Sequence, residues 1–437
     1  MALIHPLSAP AAPDCLDLFI LPETQTGVLK SYVLELPPLS TQEGAPPQFN
    51  HTPQSGEYND LNEMKICGSL TIKHADGSNL EAGELAVMVN NFMHSMIKQV
   101  DIKLGNTILS LPQQMYGYKA LIKVSLTNTD ACKKTQLGAQ GFFKESAGHL
   151  DSTEITENTS LYNRSKLFEL SKKVDFEGRL LEDCLGLTRL LLNNVNVSVK
   201  LILASPEFAI MAADTSKKYK YELSGLKLKM TMVTVSPGVI LGHAEALKTI
   251  NAMYPYMRVE MMTHSIPKGE SNVNWFNAYS KSAPSRLIIG MVSAEGFNGS
   301  YDKNPYNFQN YDVGNISLVV NDTVVGGQPL TVNFDESKAG GRSYVNAYSQ
   351  MFSATGREGN EFGNGIKISD FPNGFCLFCY NLEAFSQPGK YFNLVNTGHV
   401  RLTMRFNTQL KETVVMIVFS EHQDMFQVDA ARNVICM

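Results

Sequence analysis

The sequence predicts an all-β fold in which one sandwich is used twice. Three observations carry that prediction: apolar and polar residues alternate with a period of two, a strand pattern recurs at a fixed offset, and 437 residues is enough chain for two large domains. Val195, Val197, Val199, Leu201 and Leu203 alternate with Asn196, Ser198 and Lys200, and Leu226, Leu228, Met230 and Met232 alternate with Lys227, Lys229 and Thr231. Each run is a strand with one buried face. The recurrence pairs Leu191 to Leu201 with Leu394 to Met404 at an offset of about 203 residues, setting Asn193 against Asn396. Upstream, Gly105 to Leu109 resembles Asn321 to Val325; each is a tight turn followed by a tyrosine-containing helix. Two sandwiches of about eight strands, with short helices in loops, describe tandem jelly rolls joined by a helical connector.

In chain order, residues 1–60 read as a Pro-rich N-terminal arm. Nine of the 19 prolines lie between Pro6 and Pro53, where each ring removes a donor and restrains the residue before it. Residues 61–236 form the first jelly roll, with a helix over Tyr116 to Leu126. Pro237 to Ala252 places Ile240, Leu241, Ala244, Leu247 and Ile250 on one stripe, and the connector is drawn over residues 237–254. The second jelly roll covers residues 255–430. It takes strands at Ile316 to Val320, Val400 to Phe406 and Val414 to Phe419, and a helix at Tyr344 to Phe352. Residues 431–437 are a C-terminal tail.

Composition excludes several function classes. Charged residues make up 18% and the net charge is −5, against the dense cationic surface that binding to phosphate backbones requires. The basic knot Lys217, Lys218 and Lys220 reads as a solvated turn. Val414 to Phe419, the longest strongly apolar run, is strand length and far short of a membrane span, and Met1 to Pro13 lacks the apolar stretch of a signal peptide. Seven scattered cysteines suit reduced thiols.

Catalytic patterns fail on geometry, so no catalytic, cofactor or metal site is expected. His243 and Glu245 have the spacing of a zinc deaminase, but Cys376 and Cys379 follow too far on and sit in a strand. Gly356, Gly359, Gly363 and Gly365 lack the Lys-Ser/Thr and helix of a phosphate cradle and read as a loop needing positive φ. Asp151, Glu154 and Glu157 read as a solvated loop, and His94 as a satisfied structural histidine. Trp275, Phe276, Tyr301, Tyr306 and Tyr311 are expected to be exposed, which keeps a carbohydrate-binding or carbohydrate-active β-sandwich as an alternative.

Seven groups of residues carry a resemblance along nearly the whole chain: Leu16 to Thr26; Asn91 to Ser95 with Gln99 to Asp101; Ser146 to Asp151; Ile266 to Gly269; Phe297 to Ser300 with Asn304 to Phe308; Gly363 to Ile366 with Asp370 to Gly374; and Arg432 to Val434. In these the chain resembles the major capsid proteins of Polinton (Maverick) elements and adintoviruses, a double jelly-roll lineage that includes virophage capsid proteins and, more remotely, adenovirus hexon. The resemblance implies a homotrimeric, pseudo-hexagonal capsomer that tiles an icosahedral shell around DNA. Its implied partners are other copies of itself, a single jelly-roll penton protein and minor cement proteins, with no sequence-specific nucleic-acid binding and no membrane. Its implied location is the virion, with assembly in the host nucleus. The loops Ala283 to Tyr311 and Gly326 to Arg342 are expected to be free for lateral contacts, and the arm to order on a neighbour. A host-domesticated capsid-derived protein is the remaining reading.

Overall fold

The computed structural model describes the chain apart from residues 1–4, 10, 20, 41–43, 280–281, 338–340, 360, 384–392, 395–396 and 437. The first half supplies β1 (Val28–Leu36), β2 (Gln48–His51), β3 (Glu57–His74), β4 (Ile97–Leu104), β5 (Thr107–Ile108), β6 (Val174–Arg179), β7 (Val197–Leu203) and β8 (Tyr219–Val235). The second supplies β9 (Ala252–Ile266), β10 (Asn272–Tyr279), β11 (Arg286–Ser293), β12 (Val313–Val320), β13 (Thr323–Val324), β14 (Leu377–Asn381), β15 (Val400–Phe406) and β16 (Val414–Val428). The sheets of the first half run β1-β8-β3-β6 and β2-β7-β4-β5. Those of the second run β9-β16-β11-β14 and β10-β15-β12-β13, the same two orders repeated strand for strand. Apart from the β4–β5 and β12–β13 hairpins, the chain winds between sheets as a jelly roll does. The fold is a double jelly roll.

The predicted alternation sets the register. Leu228 on β8 lies between Leu36 of β1 and Ile66 of β3, and buried Met230 and Met232 follow it at period two. β9 and β16 pair without a break from Ala252 opposite Val428 to Ile266 opposite Val414. The offset of about 203 residues is that between β7 and β15, which hold equivalent places in the two halves; Asn396 itself lies outside the described residues. The paired turns are also equivalent. Gly105 (φ +58°) joins β4 to β5, and Asn321 (φ +47°) with Asp322 (φ +63°) joins β12 to β13, residue types that tolerate the left-handed conformation.

Helices occupy corresponding insertions. Between β5 and β6 lie α1 (Tyr116–Thr127) and α2 (Thr159–Phe168), and α3 (Pro237–Ala246) links the halves. Between β13 and β14 lies α4 (Val345–Ala354). Helix α2 breaks the expected pattern because Arg164, on its inner face with Leu161 and Phe168, is fully buried and interrupts the apolar period. Its start is nevertheless marked locally: the Asn158 side chain accepts the Ser160 and Leu161 amides at 3.2 and 3.3 Å. Among the described residues no helix is long and apolar enough to cross a membrane.

Boundaries differ from expectation for physical reasons. After one 3-10 turn at Asp14–Leu16, strand structure begins at Val28, well inside the stretch assigned to the arm, because β1 gains a full ladder along β8 and β2 pairs with β7. The connector helix ends at Ala246 and β9 starts at Ala252. No residue within α3 is fully buried, and of its apolar stripe Leu241 and Ile250 are exposed while Ile240 packs against the core and Leu247, just past the helix, is buried, so only part of the stripe is a core face. The tail is tied down, with Val434–Cys436 pairing along the end of β16.

Candidate functional site

The most heavily constrained region is the seam where the two sandwiches meet. Their apolar interiors form one continuous cluster, joined by aromatic rings from both halves. Tyr118 of α1 lies 5.7 Å from Phe297, 5.2 Å from Tyr306 and 5.7 Å from Phe208, ring centre to ring centre. Offset and edge-on contacts of this kind add to the burial of the rings themselves. Two glycines permit the close approach. A Cβ on Gly117 would stand 2.6 Å from Tyr306 Oη, and one on Gly374 (φ +101°) would collide with Leu150.

Polar groups cross the seam as well. Tyr306 Oη donates to Ser95 Oγ at 2.9 Å. Asp151 accepts the Asn304 amide at 2.9 Å and Asn307 Nδ2 at 2.8 Å, and Gly148 N donates to Asn373 O at 2.9 Å. Lys133 Nζ reaches Asn364 O at 2.6 Å; Lys144 Nζ reaches Gly365 O and Asp370 Oδ2, each at 2.6 Å. At the other end Arg432 donates to Asn193 O at 3.0 Å and to Asn193 Oδ1 at 2.8 Å. Five of the seven motif groups therefore meet here, leaving out only the arm and Ile266 to Gly269. Segments remote in sequence share one task, holding two sandwiches in a fixed relation.

A buried ionic network reinforces that relation. Lys119 Nζ on α1 stands 2.7 Å from Glu182 Oε2 and 3.3 Å from Asp183 Oδ2, and Lys123 Nζ stands 2.7 Å from Asp183 Oδ1. Asp183 Oδ2 also accepts the Val259 amide at 2.9 Å, so a first-half carboxylate bonds the middle of the second half's edge strand β9. Burial disfavours the charge on Lys119, but Asp183 and Glu182 outweigh it and hold the amine protonated above the usual lysine range. Burial likewise opposes ionisation of Asp183, and Lys119 and Lys123 overcome it, lowering the pKa. Glu421 on β16, paired with Arg286 at 3.1 Å, is raised by burial despite that partner. These residues were not singled out from the sequence. Their signal was present: Glu182 and Asp183 interrupt the apolar run Leu180 to Leu187, and Lys119 and Lys123 lie four apart on a helix whose other faces are buried.

Of the residues weighed for chemistry, Asp151, Gly365, Tyr301 and Tyr306 lie in the seam and the others do not form a site. His94 is fully buried, its ring nitrogens 3.0 Å from Tyr116 Oη and 3.1 Å from Gln140 Oε1. Burial pushes its pKa down to about 4. The unfolded chain, titrating near 6.5, then takes up the proton first, so the contribution to stability is complete above about pH 6.5 and is lost as pH falls towards 4. The expected slope is about 1.4 kcal/mol per pH unit in that window. Urea unfolding of the protein and of His94→Gln across that range should show a shallower fall in the variant.

His243 bonds to Tyr58 Oη at 2.8 Å rather than to any cysteine. Cys376 and Cys379 are buried, and burial raises both thiols, Cys379 to about 12. Among the described residues no cluster of His, Cys, Asp and Glu is arranged to hold a metal ion. Gly356, Gly359 and Gly365 have φ of +67°, +71° and +74°, while Gly363 does not need a positive φ. Lys217 and Lys220 are engaged by Glu84 and Glu222 at 3.0 and 3.2 Å.

Three expectations are corrected. Asp151 is not part of a solvated loop, because its carboxylate is spent on Asn304 and Asn307; Glu154 is exposed, and Glu157 accepts from Ser152 at 2.6 Å. Of the five aromatics expected on the surface only Phe276 is exposed (62%). Tyr301 and Tyr306 are buried in the seam, Tyr311 is half-buried, and Trp275 stacks on His264 at 5.1 Å. A row of sugar-stacking rings is therefore not present at these positions. The segment Ala283 to Tyr311 is not a free loop either: it contains β11 and the seam residues Tyr301, Asn304, Tyr306 and Asn307. In Gly326 to Arg342, residues 338–340 lie outside the described set, and Leu330–Thr331 pairs with β12.

No protein-family model matches the chain. An uncharacterised protein of Caenorhabditis elegans is 25% identical over 366 residues, which covers 79% of this chain and 80% of that one. Among solved structures, a chain from the cryo-EM structure of the Sputnik virophage is similar with a TM-score of 0.62 at 13% identity, covering 100% of this chain and 94% of its own. The mavirus major capsid protein gives 0.55 at 13% identity, covering 100% and 97%. The Faustovirus major capsid protein gives 0.55 at 7% identity, covering 93% and 92%. The chain thus has, across its whole length and in both of its sandwiches, the double jelly-roll fold of viral major capsid proteins.

Proposed function

We propose that the chain is a major capsid protein, a structural rather than catalytic subunit that forms homotrimeric, pseudo-hexagonal capsomers and tiles an icosahedral shell around DNA. The observation that carries this reading is the strand-for-strand repetition of one sandwich within one chain, locked by the seam. Three such chains about a threefold axis present six similar wedges, so a single product fills a hexagonal lattice position through closed symmetry. The seam supports the same reading, because a wedge pair that flexed would not tile.

The charge distribution supports a division of labour. A chain of net charge −5 contributes little to neutralising packaged DNA, which then falls to a separate basic protein. A single jelly-roll penton protein and minor cement proteins complete the proposed shell, with the virion as the final location and the host nucleus as the assembly site. Sedimentation and electron microscopy of the purified protein should show trimers and hexagonal or closed assemblies. A monomer at every salt concentration and pH would overturn the proposal.

A further inference from the structure

A groove of about 500 Å³ runs between α3 and the adjoining ends of the two sandwiches. Val28, Leu192, Val239, Leu247, Ile250 and Tyr254 give it an apolar lining, and Arg189 and His243 are the lining residues able to carry positive charge. The N-terminal arm has the complementary character. Leu16, Leu18, Phe19 and Leu21 are exposed, Phe19 by 95% and Leu21 by 89%. Asp14, Asp17 and Glu23 flank them, and no lysine or arginine precedes Lys30. An acidic, apolar peptide thus stands beside an apolar groove edged by the Arg189 guanidinium.

The root of the arm is fixed at the rim of that groove. Gly27 O accepts the Ser236 amide at 2.8 Å, and Gln25 closes on Val28 through both its side-chain oxygen and nitrogen, at 2.9 and 3.2 Å. Only Pro22 to Thr24 remain as slack between Leu21 and the pinned Gln25, an extended reach of about 10 Å. In the single chain the arm stays off the body although its root lines the groove.

We propose that the groove receives the segment Leu16 to Leu21 of a second copy of this chain, with apolar side chains on its floor and Asp17 and Glu23 towards Arg189 and His243. Donor and acceptor surfaces differ, so the contact is able to pass from copy to copy around a ring or along a lattice. This deepens the shell reading and rests on it, since an extended lattice is where such a contact is satisfied at every subunit.

The test uses the full chain carrying Ala246→Cys at the groove and Cys436→Ser, with the native, exposed Cys15 as reporter on the arm. Equal amounts of isotopically light and heavy protein are mixed, allowed to assemble, oxidised mildly and digested. The expected product is a disulfide between Cys15 and the thiol introduced at position 246 that joins light to heavy chains. Adding Phe19→Asp should reduce that product at least fivefold. Links found only within one isotopic form would assign the groove to the chain's own arm and overturn the proposal, as would no link at all. Micrographs of the same samples separate the two readings. Assemblies that lack the link overturn the groove assignment and leave the shell reading standing. A mixed link in material that never exceeds a few copies keeps the groove and overturns the shell.

Discussion

Replacing Lys119 by methionine is expected to destabilise the protein by about 3–5 kcal/mol, because it leaves Glu182 and Asp183 buried with only Lys123 to balance them. Both carboxylates are largely removed from water, and Glu182 already has a raised pKa through burial, countered chiefly by Lys119. With that cation gone, Glu182 should bind a proton at a higher pH than in the parent, and the double variant Lys119→Met with Glu182→Gln should recover a substantial part of the loss. Equilibrium unfolding of the three proteins in guanidinium measures both statements. A local readout accompanies them. Asp183 Oδ2 accepts the Val259 amide, so hydrogen exchange at Val259 should accelerate in Lys119→Met before the sheets of the second half open. An unchanged unfolding midpoint would mean that water already reaches the network and screens it.

Tyr118→Ala is expected to cost a similar amount, about 3–5 kcal/mol, by removing the ring at the centre of the aromatic contacts between the halves. Its hydroxyl is buried and makes no hydrogen bond among the described residues. Tyr118→Phe, which keeps the ring, should therefore leave stability within about 1 kcal/mol of the parent or raise it. The contrast separates packing from polarity at one position. Because the ring touches Phe297 and Tyr306 of the other sandwich, Tyr118→Ala should also let the halves unfold in separate steps, visible as two transitions in calorimetry where the parent shows one. If the alanine variant unfolds at the parent's midpoint, the aromatic contacts do not hold the seam.

The value of both variants for assembly follows from the geometry. In the proposed capsomer each chain fills two positions of a hexagonal outline only if the angle between its sandwiches is fixed, and the seam contacts would fix it. On that proposal, stability and tiling are coupled through the same residues. Variants that loosen the seam should lose ordered lattices before they lose secondary structure.

Much of the fold was legible in single runs of residues. Alternation at Val195 to Leu203 and Val400 to Phe406 located β7 and β15, and helix spacing located α1 and α4. The arm was overextended because prolines at Pro37, Pro38, Pro46 and Pro47 hid the strands on either side. Val28–Leu36 and Gln48–His51 are held by ladders to β8 and β7, partners about 150 residues or more away in sequence. Helix α2 was missed because a buried Arg164 pairs with Glu145 at 2.8 Å, and a charge that finds its partner in a neighbouring loop reads locally as a surface residue.

The sequence by itself determined which faces are apolar, and with that the all-β class, the duplication and the place of the long insertions, since alternation and repetition are local properties of the chain. The tertiary structure alone decided what becomes of the charged and aromatic residues between the strands. Tyr301, Tyr306 and Asp151 looked like surface chemistry and proved to be joints, while Lys119, Glu182 and Asp183 drew no notice and form the buried network. Burial of such a side chain is set by partners brought together from both halves of the chain. Without those partners its desolvation would not be repaid.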